Sequence, residues 1–131
     1  INYDNYRPYD LDLSSHSGYK NLLIKGCFIG SSTCVFNKDL KNIIKFNIKY
    51  NFICDYDFFL NYSYYYNMYC SKNNYVKWRI HQNQSTNKLN NVLIKELKFF
   101  YINKIFNTKL SFNIKIILLF KYLKIFVKNI L

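Results

Sequence analysis

Residues 27–36 read CFIGSSTCVF, and how that stretch is read decides the fold. Cys27-Phe28-Ile29 and Cys34-Val35-Phe36 are apolar, aromatic or β-branched, the residue types that fit a pleated and half-buried surface. Gly30-Ser31-Ser32 interrupts them with small residues, so the pattern predicts a bent strand or a strand-loop-strand. Residues 75–81, YVKWRIH, point the same way: Val76, Trp78 and Ile80 alternate strictly with Lys77, Arg79 and His81, as on a strand with one apolar and one polar face. Helical patterns lie around both stretches, and the expected fold class is therefore α/β.

Working outward, GYKNLLIKG at 18–26 reads as a short helical turn or linker, and Asn37 is placed to cap a helix through KDLKNIIKF, with Leu40, Ile43 and Ile44 on one face. NFICDYDFFLNYSYY at 51–65 predicts a helix with Asp55 as N-cap, because Phe58, Phe59 and Tyr62 recur at three-to-four spacing. Two further helices are expected over 88–106 and 110–131, parted near Asn107-Thr108. Residues 1–17, with Pro8, read as loop; the formal D-x-D of YDLDL at 9–13 has no apolar strand before it, and His16 reads as surface.

Half of the 131 residues are hydrophobic and 21% are aromatic, which excludes a disordered tail and predicts a folded chain with a large aromatic interior. Nineteen basic residues against seven acidic ones give a net charge of +12. The positive charge is nearly all lysine, scattered along a chain rich in Ile, Asn, Lys, Tyr and Phe, so it reads as coding bias and nucleic acid is not the expected partner. Cys27, Cys34, Cys54 and Cys70 show no zinc spacing and are expected to be reduced, buried small hydrophobes in an intracellular setting. No signal peptide is read. With Ile1 in first place, the numbering is taken to open inside a longer protein.

In LSFNIKIILLFKYLKIFVKNIL, residues 110–131, the residues Lys121, Lys124, Lys128 and Asn113, with Lys109 just before, share one side of a helical wheel. The longest uncharged run falls far short of the ~18 residues needed to span a bilayer. Two readings stay open: the segment lies in a membrane interface, or it packs on its own domain with its lysines outward.

The chemistry concentrates in two places. Asp55 and Asp57 stand inside an aromatic run, where a carboxylate can serve as general base, associate with a metal ion, or simply start a helix. Trp78, Arg79 and His81 gather the only Trp, one of two Arg and one of two His within four residues; Arg offers a planar fork to phosphate and imidazole a metal ligand.

Taken in order, SGYKNLLIKGCFIGSSTCVFNKDL, CDYDFFL and KWRIHQNQSTNK resemble the C-terminal, acceptor-side half of family 2 glycosyltransferases. The resemblance covers residues 18 to 88 and implies a partial GT-A fold that lacks its N-terminal nucleotide-binding half and is followed by C-terminal helices. It divides the chain into 1–88, catalytic, and 89–131, a basic amphipathic extension. It implies inverting sugar transfer from a nucleotide-sugar donor to a saccharide or lipid-linked acceptor, as in surface polysaccharide synthesis, by a full-length enzyme of which this chain alone would be inactive. Asp55 matches the catalytic base and Asp57 its supporting neighbour. Arg79 and His81 match positions near the donor diphosphate and a divalent ion, Mn²⁺ or Mg²⁺, with His81 its ligand. Gly30, Ser31, Ser32 and Trp78 match the acceptor border. The sequence departs from the family at Cys54, where a Glu is usual, and at Trp78, where a Tyr is usual. The location implied is cytoplasmic, peripheral on the cytoplasmic membrane face. Two other classes remain beside it: a small basic RNA-binding or organellar ribosomal protein, and a membrane-surface accessory protein.

Overall fold

The structure, a computed structural model, describes residues 11–36, 44–71 and 91–127. Their elements are four α-helices, α1 Ser17–Lys25, α2 Cys54–Tyr65, α3 Asn91–Ile105 and α4 Phe112–Val127, and one 3-10 turn, Ser31–Thr33. The expected α/β class, and with it the partial GT-A architecture, is corrected: no strand occurs among the described residues.

The reason is visible at residues 27–36. The Thr33 N–H and hydroxyl both donate to the Gly30 carbonyl, at 2.9 and 2.6 Å, closing the chain into a turn where the sequence pattern called for extension. Val35 is 99% exposed, so the apolar residues here do not form the buried face that a strand pattern presumes. Phe36 instead reaches α2, with ring centroids 5.3 Å from Phe58 and 5.6 Å from Tyr62. The strand read over 75–81 and most of the helix read over 38–46 lie outside the described residues; residues 44–46 are not helical. The helical turn read at 18–26 and the helices read from Asp55 and in the two C-terminal segments are present, their described ends within a few residues of those expected; residues 128–131 lie outside the described residues.

The chain divides into two compact units, Ile1–Phe46 with Tyr56–Lys77, and Asn47–Asp55 with Trp78–Leu131. The first is built on α1 and α2. Tyr19, Leu22 and Leu23 of α1 are buried at helical spacing, as are Tyr56, Phe59 and Leu60 of α2. Leu22, Leu23 and Leu60 are fully inaccessible, and each such burial contributes about 1.5–3 kcal/mol. The Tyr56 hydroxyl donates to the Leu22 carbonyl at 2.9 Å, satisfying its polar end inside the apolar contact.

Polar bonds clamp one end of this unit. The Ser15 N–H donates to Asn67 Oδ1 at 2.7 Å, the Met68 N–H to the Leu13 carbonyl at 2.9 Å, and the His16 N–H to the Ser63 carbonyl at 3.1 Å. His16 turns through φ 67°, ψ −43°, with the Ser17 N–H bonded back to the Ser15 carbonyl at 2.8 Å: a strained γ-turn held by what surrounds it. Gly18 packs closely beside it: a Cβ there would stand 2.8 Å from Met68 Cε, the movable end of its side chain, and 3.3 Å from the Leu13 carbonyl oxygen.

The second unit is a helical hairpin, α3 and α4, with residues 47–55. Phe100 and Tyr101 of α3, Ile114 and Leu118 of α4, and Tyr50 and Ile53 ahead of α2 are among its buried side chains, with Glu96 the buried acid. The turn between the helices is set by Asn107, whose side-chain oxygen accepts from the Lys109 N–H at 2.9 Å and whose carbonyl accepts from Leu110. On α4 the lysines divide: Lys124, with Asn113 and with Lys109 just before the helix, is exposed as the lysines-outward reading has it, and Lys121 is not. Lys121 is half-buried with its nitrogen 5.9 Å from the centroid of Tyr101, and burial lowers its pKa. Phe112, Phe120 and Leu123 of α4 are exposed as well.

Candidate functional site

The carboxylates of α2 are the chemistry the sequence singled out, and the helix separates them. Helix α2 begins at Cys54, one residue before the expected cap, so Asp55 lies in its first turn where a negative charge is favoured by the helix dipole. Positions two apart on a helix point about 200° from one another, so Asp55 and Asp57 do not converge. Asp55 is half-buried, open enough to meet a hydroxyl from solvent. Asp57 is 7% exposed and accepts from Asn61 Nδ2 at 3.3 Å, one turn further along. Its charge also reaches Tyr19 on α1, whose hydroxyl is pushed up to about 12 chiefly by burial, with the charges of Tyr64 and Asp57 adding to it. Asp57 is thus embedded where α1 and α2 meet.

Gly30, Ser31 and Ser32, read as bordering an acceptor, form an exposed tight turn. It presents two serine residues to solvent while its own backbone is closed by Thr33. Trp78, Arg79 and His81 lie outside the described residues, and with them the expected diphosphate contacts and metal ligand. Among the described residues no three His, Cys, Asp or Glu side chains group to hold a metal ion. Asp55 and Asp57, on different sides of α2, do not fit a divalent ion as a pair, and no chemical step below is routed through one. The cysteines also differ from expectation: Cys27 and Cys70 are exposed and Cys34 and Cys54 half-buried, none in a disulfide.

Two features were not found from the sequence. The first is Glu96, the only glutamate of the chain and the only acidic residue after Asp57. It is 8% exposed on α3, and its carboxylate accepts three successive backbone N–H groups, from Asn51 at 2.7 Å, Phe52 at 2.9 Å and Ile53 at 3.2 Å. Those are the residues leading into α2, so this carboxylate fixes the approach to the helix that carries Asp55. A single Glu in a run of lysines was the available signal. The second is an open groove of about 370 Å³ between residues 11–14 and 67–70. Its polar wall is Asp12, which accepts from the Ser14 hydroxyl at 2.6 Å and N–H at 3.0 Å; those bonds hold its carboxyl below the usual range. The groove is shallow, and its carboxylate is already engaged with Ser14.

No protein-family model matches the chain, and neither the curated proteins nor the solved structures give a match. No described helix is long and apolar enough to cross a membrane.

Proposed function

We propose that the chain is the acceptor-side part of a nucleotide-sugar transferase, with Asp55 as its general base. The observation that carries the reading is the different settings of the two aspartates: Asp57 is embedded between α1 and α2, whereas Asp55 is half-buried in the first turn of α2. In support, the helix, tight turn and aspartate-bearing helix occur in the order of the resemblance, although no strand of the sheet it implied occurs among the described residues. Asp55 takes the proton of an acceptor hydroxyl as its oxygen attacks the anomeric carbon; the bond from that carbon to the diphosphate breaks, and the nucleoside diphosphate leaves with the electron pair. The configuration inverts. The reading requires a nucleotide-binding half to hold the donor. It assigns the diphosphate and its Mn²⁺ or Mg²⁺ to the stretch around Arg79 and His81, and the saccharide or lipid-linked acceptor to the side of Ser31 and Ser32.

The RNA-binding alternative calls for a contiguous lysine face, and α4 offers less of one than its sequence suggested, with Lys121 turned over Tyr101 and aromatic residues outward. In the full-length protein, Asp55→Asn is expected to lower transfer by about 10²–10⁴-fold while nucleotide-sugar binding stays within a few-fold of wild type. Turnover within about tenfold of wild type, or loss of donor binding in place of turnover, would remove Asp55 as the base.

A further inference from the structure

Helix α4 is apolar on two opposite sides, and only one of them is covered. Ile114 and Leu118 are buried in the hairpin with α3. Phe112, Ile116, Leu119, Phe120, Leu123 and Phe126 are 37 to 76% exposed. At about 100° per residue these six fall within an unbroken arc of about 120° that contains no polar side chain. The margins of that arc are polar: Lys115 stands beside Phe126 on one side, Asn113 and Lys124 beyond Phe120 on the other. So wide an exposed apolar stripe on a soluble surface marks an interaction site.

The charges around it select the occupant. Residues 91–127 hold seven lysines, at 95, 98, 104, 109, 115, 121 and 124, and one acid, Glu96, for a net charge of 7 − 1 = +6. Glu96 is turned to the backbone of residues 51–53 and offers nothing outward. A second copy seated through the same hairpin would set +6 against +6, with no carboxylate in residues 91–127 other than the engaged Glu96 to answer the marginal lysines. A phosphate-lined nucleic acid would meet the charges and leave the apolar arc exposed. An anionic bilayer surface satisfies both, since acyl chains take the arc and lipid phosphates take lysines whose stems extend up from its margins. The helix, about 24 Å long, lies in the interface and does not cross it.

We infer that α4 is an in-plane membrane anchor, docking through the arc from Phe112 to Phe126 onto an anionic lipid surface. The inference does not rest on the transferase reading, which is tested at Asp55.

The test is flotation of the full chain with vesicles of phosphatidylcholine alone and of phosphatidylcholine mixed with phosphatidylglycerol. The expected result is partition onto the mixed vesicles about tenfold or more above the neutral ones, weakened by salt. Phe120→Ser with Leu123→Ser lowers it by about tenfold or more, with the far-ultraviolet circular dichroism and melting temperature unchanged because both side chains face outward. Lys115→Gln with Lys124→Gln removes several-fold of the anionic preference. Three results overturn the inference: no flotation with either vesicle, flotation of the serine variant equal to wild type, or a vesicle-free dimer in equilibrium sedimentation that the serine variant dissolves. A large fall in melting temperature for the serine variant also overturns it, since the arc would then be covered by the chain itself.

Discussion

Helices α2 and α4 are both rich in large apolar residues, and they use them in opposite ways. Of the twelve residues of α2 only Tyr65 is exposed, and the helix takes polar groups inside with their partners: Asp57 with Asn61, and Ser63 with the Leu60 carbonyl at 2.9 Å. Of the sixteen residues of α4 only Ile114 and Leu118 are buried, and seven large apolar side chains stand exposed. The difference teaches that the apolar content of a helix does not tell which of its sides is core. What α2 has and α4 lacks is a set of neighbours all around it, including a carboxylate fixing its approach.

The sharpest way to break the α2 side of the comparison is at Glu96. Glu96→Ala removes three hydrogen bonds to a carboxylate, leaving the buried Ile53 N–H and the part-buried Asn51 and Phe52 N–H groups without their acceptor, so a loss of about 3–5 kcal/mol is expected in urea unfolding. Glu96→Gln keeps one acceptor oxygen and should lose clearly less. Equal losses for the two variants would mean that packing, and not hydrogen bonding, accounts for the effect. On α4 the contrast lies between neighbours. Leu118 is fully buried and Leu119 is 45% exposed, so Leu118→Ala should cost about 2–5 kcal/mol and Leu119→Ala less than about 0.5. Similar costs at both positions would show that α4 is covered on its second side.

Helices were legible because three-to-four spacing survives in a biased composition: Phe58, Phe59 and Tyr62, whose spacing marked α2, all lie on a helix of which only Tyr65 is exposed. The strand over 27–36 was misread because β-branched and aromatic residues are common throughout this chain, and residue type without a pairing partner does not make a strand. Asp55 and Asp57 were legible as a pair of carboxylates. Their separation by the helix follows from the spacing of two, but the burial of one and not the other depends on α1 packing beside Asp57. Glu96 was illegible for the same reason: its three donors lie more than forty residues away in the chain, and only the folded unit brings them to it.

The smallest expected effect is read at Tyr19, where the packing of α1 on α2 appears as a titration. Its hydroxyl is pushed up to about 12 from a model-peptide value of 10.0, first by burial and then by the charges of Tyr64 and Asp57. The ring is 7% exposed and meets Tyr64 edge-on at 5.3 Å. Because the folded-state value lies above the unfolded one, the protonated phenol is what the fold accommodates. Tyr19 therefore contributes fully to stability below pH 10, and that contribution falls away as the pH rises through about 12. Difference titration of phenolate absorbance between wild type and Tyr19→Phe should isolate one tyrosine with a midpoint near 12, and the variant should lose less stability than wild type between pH 10 and 12. Asp57→Asn should move the same midpoint downward by removing one of the charges that hold it up. A midpoint near 10 in the difference curve would show that water reaches the Tyr19 hydroxyl, and that α1 covers this side of α2 no better than anything covers the outer side of α4.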